Sequence, residues 1–393
     1  MNPKRQKPAA LAICLSLGAA TLPSLAVGEP ILLRPATNLY AGASPLTVGT
    51  YAIPCVTDWN GDGRKDLLVG YRTADKIALY LNVGSDANPV FSLSTSLQAG
   101  GVDVYVEGAP SCGAPAPWVC DFDGDGRRDL LVGSGKTGQV LFFRNTNTDA
   151  APILVPGVPL MAGASALNVT YRATPYVHDW DQDGRNDLFC GNGDGWVYFF
   201  RNTNTAQAPI YTPGVLLQAG GTNANFGSRS VVRVLDWDGD GLKDLVASSS
   251  TGVYWCRNTN RNSAPVLQAP VALRAPLPAS GFQPIYTSAR MRLDLADWNN
   301  DGVMDLLLGN SDGTISCFEG YRFAFTGLSP EPTGGLVLQW SSAPFLKYHL
   351  LAGASPDNLT RVIATNVPSG GKTTAWTNRP QASQEFYQLR LAP

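Results

Sequence analysis

Aspartates recur in this chain at a spacing suited to holding a hard cation among oxygens. The pattern Asp-x-[Asp/Asn]-x-Asp-Gly-x-x-Asp occurs five times, beginning at Asp58, Asp121, Asp179, Asp236 and Asp297. Fifteen Asp occupy its first, fifth and ninth positions and three more its third position, so 18 of the 31 acidic residues lie in these loops. Carboxylates at that density repel one another unless a cation sits between them. Calcium takes six to eight oxygen ligands at about 2.3–2.6 Å, and loops of this kind supply them from alternate residues.

The loop assigns a role to each position. In the first copy, Asp58, Asn60 and Asp62 offer side-chain oxygens, Arg64 a main-chain carbonyl, and Asp66 closes the site. Gly63 permits the turn that a Cβ would obstruct. The equivalent sets are Asp121, Asp123, Asp125, Arg127 and Asp129; Asp179, Asp181, Asp183, Arg185 and Asp187; Asp236, Asp238, Asp240, Leu242 and Asp244; and Asp297, Asn299, Asp301, Val303 and Asp305. Only the carbonyl of the seventh residue is needed, so its side chain is expected to vary freely. An EF-hand loop has twelve residues and ends on Glu. Here an apolar run such as Leu67-Leu68-Val69 follows the ninth residue, which predicts a buried strand. The expectation is about five structural calcium ions; the alternative is a set of metal-free Asp-Gly turns.

These loops belong to a longer repeat. Their starts are 63, 58, 57 and 61 residues apart. Each is followed by a strand pattern, as in 140–148, 197–205 and 253–260, and then by an outer-strand pattern, as in 88–101, 151–164, 208–221 and 264–276. Four strands per unit is the arithmetic of a propeller blade. The fifth loop lacks an outer strand after it, and a spare one, 29–43, precedes the first loop. The predicted fold is therefore all-β: a five-bladed β-propeller closed by its N-terminal strand, followed by a small β-sandwich. Trp59, Phe122, Trp180, Trp237 and Trp298, each after a first ligand, read as wedges between blades.

The repeats resemble the FG-GAP / VCBS repeats of integrin α-subunit propellers and of many secreted bacterial proteins, over residues 29–321. The resemblance implies structural calcium between the first two strands of a blade and a ligand face at the opposite end. The chain departs from the integrin pattern in having five blades, each with a calcium loop, and no integrin-like activity is implied.

The N-terminus reads as a signal peptide, residues 1–26. Lys4, Arg5 and Lys7 precede an apolar stretch, and Ser24-Leu25-Ala26 offers a small-residue cleavage site. No other segment is apolar for the roughly 18 residues that a membrane span requires. A secreted, extracellular or periplasmic monomer is expected. Loss of the leader takes the formal charge from −2 to −5, and five calcium ions would bring it to about +5. That balance favours acidic partners. Among the cysteines, Cys112 and Cys120 are close enough in sequence to form a bridge, with free thiols as the alternative, while Cys256 and Cys317 replace core aromatics.

Residues 322–335 read as a linker and 336–393 as a small β-sandwich, loosely similar to fibronectin type III modules. For function, two readings stand. One is a recognition or adhesion module for a glycan, possibly acidic, or an extracellular protein, without nucleic acid. Its candidate ligand residues are Tyr51, Tyr105, Tyr171, Arg172, Phe226, Arg229, Tyr286 and Arg290. Rings stack on sugars, and Arg pairs with carboxylate or sulfate. Blade packing is the plainer use of each of these residues. The other reading is an extracellular polysaccharide lyase or glycoside hydrolase, with Asp103, Glu107 and Asp294 as the unassigned carboxylates. The sequence contains two His, His178 and His349, with no nucleophile placed beside either, so no catalytic residue is assigned.

Overall fold

The computed structural model describes residues 11–16, 31–92, 95–104, 114–277, 280–332, 334–354, 358–380 and 384–391. Every regular element among them is a β-strand. Five four-stranded antiparallel sheets follow the five loops. Their first strands are Ile53–Thr57, Ala116–Cys120, Thr174–His178, Val231–Leu235 and Arg292–Ala296. Each loop turns the chain into a second strand, Asp66–Tyr71, Asp129–Gly133, Asp187–Gly191, Asp244–Ser248 or Asp305–Gly309. These second strands are buried on both faces, as their unbroken apolar runs predict.

The sheets form a cycle. The first strand of each touches the first strand of the next, and Arg292–Ala296 touches Ile53–Thr57. The fourth strand of the fifth sheet is Thr37–Asn38, paired with Ile315–Phe318, so the N-terminal segment completes it. Close backbone approach marks four of the five seams. A Cβ on Gly70, Gly133, Gly191 or Gly309 would lie 1.8–2.2 Å from the carbonyl oxygen of Pro115, Ala173, Ser230 or Ala52 in the neighbouring sheet. The fifth seam holds Ser248, whose hydroxyl accepts from Leu293 N–H at 3.0 Å. The five wedge aromatics are buried. Each clusters with apolar residues of the following sheet, from Trp59 with Val119 and Leu130 round to Trp298 with Leu67 and Val69.

Two strand readings change in extent. The third strands stop at Phe143, Phe200 and Cys256. The following Asn folds back: Asn145 Oδ1 accepts from the N–H groups of Asn147 and Ile153. The outer strands shrink to pairs such as Val158–Pro159 and Val215–Leu216, where nearby prolines withdraw ladder donors. Short hairpins such as Met161–Ala162 with Ser165–Ala166 follow them.

The segment read as a linker, 322–335, contains the strand Phe325–Pro330. It pairs with Leu336–Ser341, which pairs in turn with Thr373–Asn378. Phe323 and Phe325 supply the apolar anchors that draw it into the core. A second sheet joins Lys347–Gly353 to Arg361–Pro368 and Gln384–Leu391, and both sheets share one core around Trp340, Tyr348 and Tyr387. Leu11–Ser16, within the segment read as a leader, pairs antiparallel with Gln384–Leu391 in the full chain. Cys120 bears a free thiol, and Cys112 lies outside the described residues.

The third residues of the five first strands are Cys55, Trp118, Tyr176, Arg233 and Asp294, and they converge on the axis of the cycle. Arg233 Nε donates to Asp294 Oδ1 at 2.7 Å, and its guanidinium lies 4.5 Å from the Trp118 ring centroid and 5.1 Å from that of Tyr176. Asp294 Oδ2 accepts from Val56 N–H at 2.6 Å, which ties the fifth sheet to the first. Both charges are buried. Removing one leaves the other stranded at a cost of about 3–5 kcal/mol, whereas replacing both by apolar residues is often neutral. Asp294→Ala is therefore expected to lose about that much unfolding free energy. The double variant Arg233→Met/Asp294→Leu should recover most of it in denaturant titrations. Equal losses in the two would show that packing, not charge, matters at this point.

Candidate metal loops and the channel mouth

All five loops share one hydrogen-bonded frame. The sixth-position glycines, Gly63, Gly126, Gly184, Gly241 and Gly302, have φ of 82–85°, a region L side chains resist. Each donates its N–H to Oδ2 of the first Asp at 2.9–3.1 Å. The seventh residue donates to Oδ1 of the fifth Asp at 2.8–3.0 Å. The ninth Asp is completely buried in every loop. Its Oδ1 accepts, at 2.7–2.8 Å, the N–H that follows the third strand, from Asn82, Asn145, Asn202, Asn258 or Gly320.

This donor set fits a hard cation. Asp121, Asp123 and Asp129 bring carboxylate oxygens within 4.8 Å of one another, as do Asp179, Asp181 and Asp183, and Asp236, Asp238 and Asp244. Asp121 Oδ1, Asp181 Oδ1 and Asp187 Oδ2 are buried without a hydrogen-bond partner. Burial pushes the carboxyls of Asp129, Asp187 and Asp244 up to about 6 and that of Asp305 to about 7. A neighbouring cation supplies the opposing charge that the buried carboxylates lack. Asn60 and Asn299 replace the third Asp in the other two loops.

The seventh side chain is not free where it is Arg. Arg64, Arg127 and Arg185 each donate Nε to the main-chain carbonyl of Asn82, Asn145 or Asn202 and pair with the fifth Asp of their own loop. Neighbouring loops are also joined. Arg128 Nη2 lies 3.6 Å from Asp58 Oδ2, and Lys243 Nζ donates to the Asp179 carbonyl at 2.7 Å.

The first strands begin at the other end of the axis. The residue two positions before each is Tyr51, Ala114, Arg172, Arg229 or Arg290, and all five line one cleft of about 30 Å³. Arg72 and Arg292 also line it. Tyr51, Arg172 and Arg229 have φ of 59°, 53° and 67°, a conformation uncommon for such residues. The Arg290 guanidinium lies 3.9 Å and that of Arg72 5.2 Å from the Tyr51 ring centroid.

Of the ligand residues predicted from sequence, Tyr51, Arg172, Arg229 and Arg290 thus share the mouth. Tyr171 stands next to it, with Arg172 over its ring at 5.2 Å and its hydroxyl donating to Asp194 at 2.6 Å. Phe226 is buried against Tyr254 in the core, so its predicted ligand role is corrected: the apolar ring is consumed by packing. Tyr286 is exposed but does not line the cleft, and Tyr105 lies outside the described residues. Sequence reading missed Arg72 and Arg292. Of the catalytic alternatives, Asp103 pairs with Lys76 at 2.6 Å, Asp294 is committed to Arg233, and Glu107 lies outside the described residues. Burial, then Asp294, pushes the Cys55 thiol up to about 12, which leaves no thiolate there.

A family model for the FG-GAP-like repeat matches residues 179–247 and 236–308. FG-GAP-like repeats are thus recognised over residues 179–308. No curated protein matches the sequence. Among solved structures, the chain is similar to an Agrocybe aegerita lectin specific for non-reducing terminal N-acetylglucosamine, at 15% identity and TM-score 0.36, covering 94% of this chain and 99% of that one. It is similar also to an exo-β-1,3-galactanase from Phanerochaete chrysosporium, at 8% identity and TM-score 0.42, covering 92% and 96%. Among the described residues no helix is long and apolar enough to cross a membrane.

The five repeats differ in one correlated way. Where the third loop residue is Asp, the residue after the third strand is Arg: Arg144, Arg201 and Arg257. Each reaches back to the third and fifth Asp, Arg257 at 2.6 Å from Asp238 and 2.9 Å from Asp240. Where the third residue is Asn, that place holds Leu81 or Glu319. The extra carboxylate thus comes with its own counter-charge, which also competes with a cation. Asp244→Asn is expected to remove one calcium from the stoichiometry read by calorimetry on the chelated and reloaded full chain. Arg257→Ala should tighten the fourth site about fivefold, ~1 kcal/mol, through relief of cation–cation repulsion. Weaker binding in Arg257→Ala would make that arginine a support of the loop instead.

Proposed function

We propose that this protein is an exported, calcium-stabilised five-bladed β-propeller, residues 29–321, with a small C-terminal β-sandwich, and that it works as a recognition or adhesion module. Its ligand is a glycan in the first place and an extracellular protein in the second. The observation that carries the reading is the division of the ring into two ends. Carboxylate loops crowd one end of the inner strands, while the other end gathers Tyr51, Arg72, Arg172, Arg229, Arg290 and Arg292 around a cleft. Arginine with an aromatic ring is a binding surface for sugars that carry polar or charged groups. Of the carboxylates outside the loops that a hydrolase would need, Asp103 pairs with Lys76 and Asp294 with Arg233.

In this reading calcium is structural. With dissociation constants near 10⁻⁴ M and about 1 mM calcium, each site adds roughly 1.4 kcal/mol. Five sites then add about 7 kcal/mol, comparable to the whole net stability of a domain. Chelation at neutral pH is expected to lower the melting temperature of the full chain steeply, with recovery on adding calcium; an unchanged melt in EDTA would remove the calcium part of the proposal. The recognition part is tested by incubating the calcium-loaded protein with neutral and acidic polysaccharides and reading both retention and chain length. Retention at constant length supports a binding module. Shortening would replace it with a lyase or hydrolase, and the absence of both retention and shortening would shift the ligand to a protein.

A further inference from the structure

The channel mouth concentrates positive charge: five of the residues that line it are arginines. Among the described residues, Arg172, Arg229, Arg290 and Arg292 have no Asp or Glu oxygen within 4.0 Å. The nearby Asp194 is taken by the Tyr171 hydroxyl, and Asp294 lies deeper, on Arg233. Arg292 is only 6% exposed. Its Nη1 donates to the carbonyls of Arg229 and Met291 at 2.9 and 3.1 Å, while the Nε atoms of Arg229 and Arg292 are buried with no acceptor. Burial and mutual repulsion hold Arg172 and Arg229 below the ordinary arginine range and bring Arg292 down to about 9.

We propose that this mouth is a receptor for a single oxyanion, the carboxylate or sulfate group of an acidic glycan, held by Arg172, Arg229, Arg290 and Arg292. The proposal rests on the recognition reading above and names the chemical class its ligand must carry. An oxyanion answers the orphaned donors and offsets the repulsion between the guanidinium groups. The cleft of about 30 Å³ holds on the order of two or three waters. That suits one compact charged group and not a sugar ring, so the sugar body lies outside, beside Tyr51. Backbone geometry supports a built site. Tyr51, Arg172 and Arg229 occupy equivalent positions and all carry the left-handed φ, a strained conformation that tends to mark functional loops.

The test uses the full, calcium-loaded chain. Retention is measured on polygalacturonate (carboxylate), dextran sulfate (sulfate ester) and unmodified dextran, and inorganic sulfate is titrated by calorimetry. The expected result is retention of one or both charged polymers, none of dextran, and competition by sulfate; the arms tell carboxylate from sulfate. Arg172→Gln and Arg229→Gln should each weaken retention at least about tenfold. Arg172→Lys should lose less, and the exposed Arg379→Gln should lose nothing. A calcium-dependent melt equal to the parent's shows that each variant is folded. If Arg172→Gln misfolds, Arg290→Gln carries the test. Equal retention of parent and Gln variants overturns the oxyanion site, as does equal retention of dextran and the charged polymers, which leaves glycan recognition standing. Sulfate binding with no polymer retained does the reverse: the oxyanion site stands and the glycan reading falls.

Discussion

A carboxylate that water does not reach stands at the start of every second strand. Asp66, Asp129, Asp187, Asp244 and Asp305 are each completely buried. Each holds the N–H that follows the third strand, and all but Asp187 also hold the N–H of the wedge aromatic. One group therefore fixes where a loop ends, where its second strand begins and how far its third strand runs. A buried charge is tolerated only with compensation. Backbone N–H donors and a cation held by the loop can supply it, so the local chemistry of nine residues sets the geometry of about sixty. The inner strand hangs from this point and delivers its other end to the mouth.

Much of this was legible in the sequence, because chemistry and period coincide there. The loops, the sheet order and the return of the N-terminal segment all follow from counting repeats. The mouth was half legible: Tyr51, Arg172, Arg229 and Arg290 each stand seven residues before a first loop Asp. Arg292 escaped because it occurs once, at a strand position filled elsewhere by Ile53, Ala116, Thr174 and Val231. Arg72 escaped because it enters from the far end of a second strand. Phe226 was misplaced because nearness along the loop is not register; it lies three residues before Arg229 and turns into the core. The strand Phe325–Pro330 was hidden by the Pro and Gly around it, which report local stiffness but not the pull of Phe325 toward a core assembled from residues far along the chain.

The ring is symmetric outside and asymmetric within. Five equivalent axial positions hold a thiol, an indole, a phenol, a guanidinium and a carboxylate. The Arg233–Asp294 pair joins adjacent sheets, while the rings of Trp118 and Tyr176, in edge contact with each other, both lie close to the cation. Near-identical repeats could pair in the wrong order. A single ionic contact that only one arrangement satisfies discriminates among those arrangements, at the expense of desolvating two charges. The Asp–Arg and Asn variants of the loops carry the same idea outward, giving neighbouring repeats different charge while preserving one backbone.

Closure by Thr37–Asn38 has a consequence for the order of events in time. The strand nearest the start of the ring pairs with Ile315–Phe318, almost 280 residues later. No partial ring is complete, so Thr37–Asn38 waits for its partner strand until the other four sheets have been made. Pairings of such long range raise the entropy that must be lost before the contacts form and slow the search for the native state. The molecule is then a late closer: its sheets can form one by one, but the clasp that makes them a ring is available only once the third strand of the fifth sheet has been made.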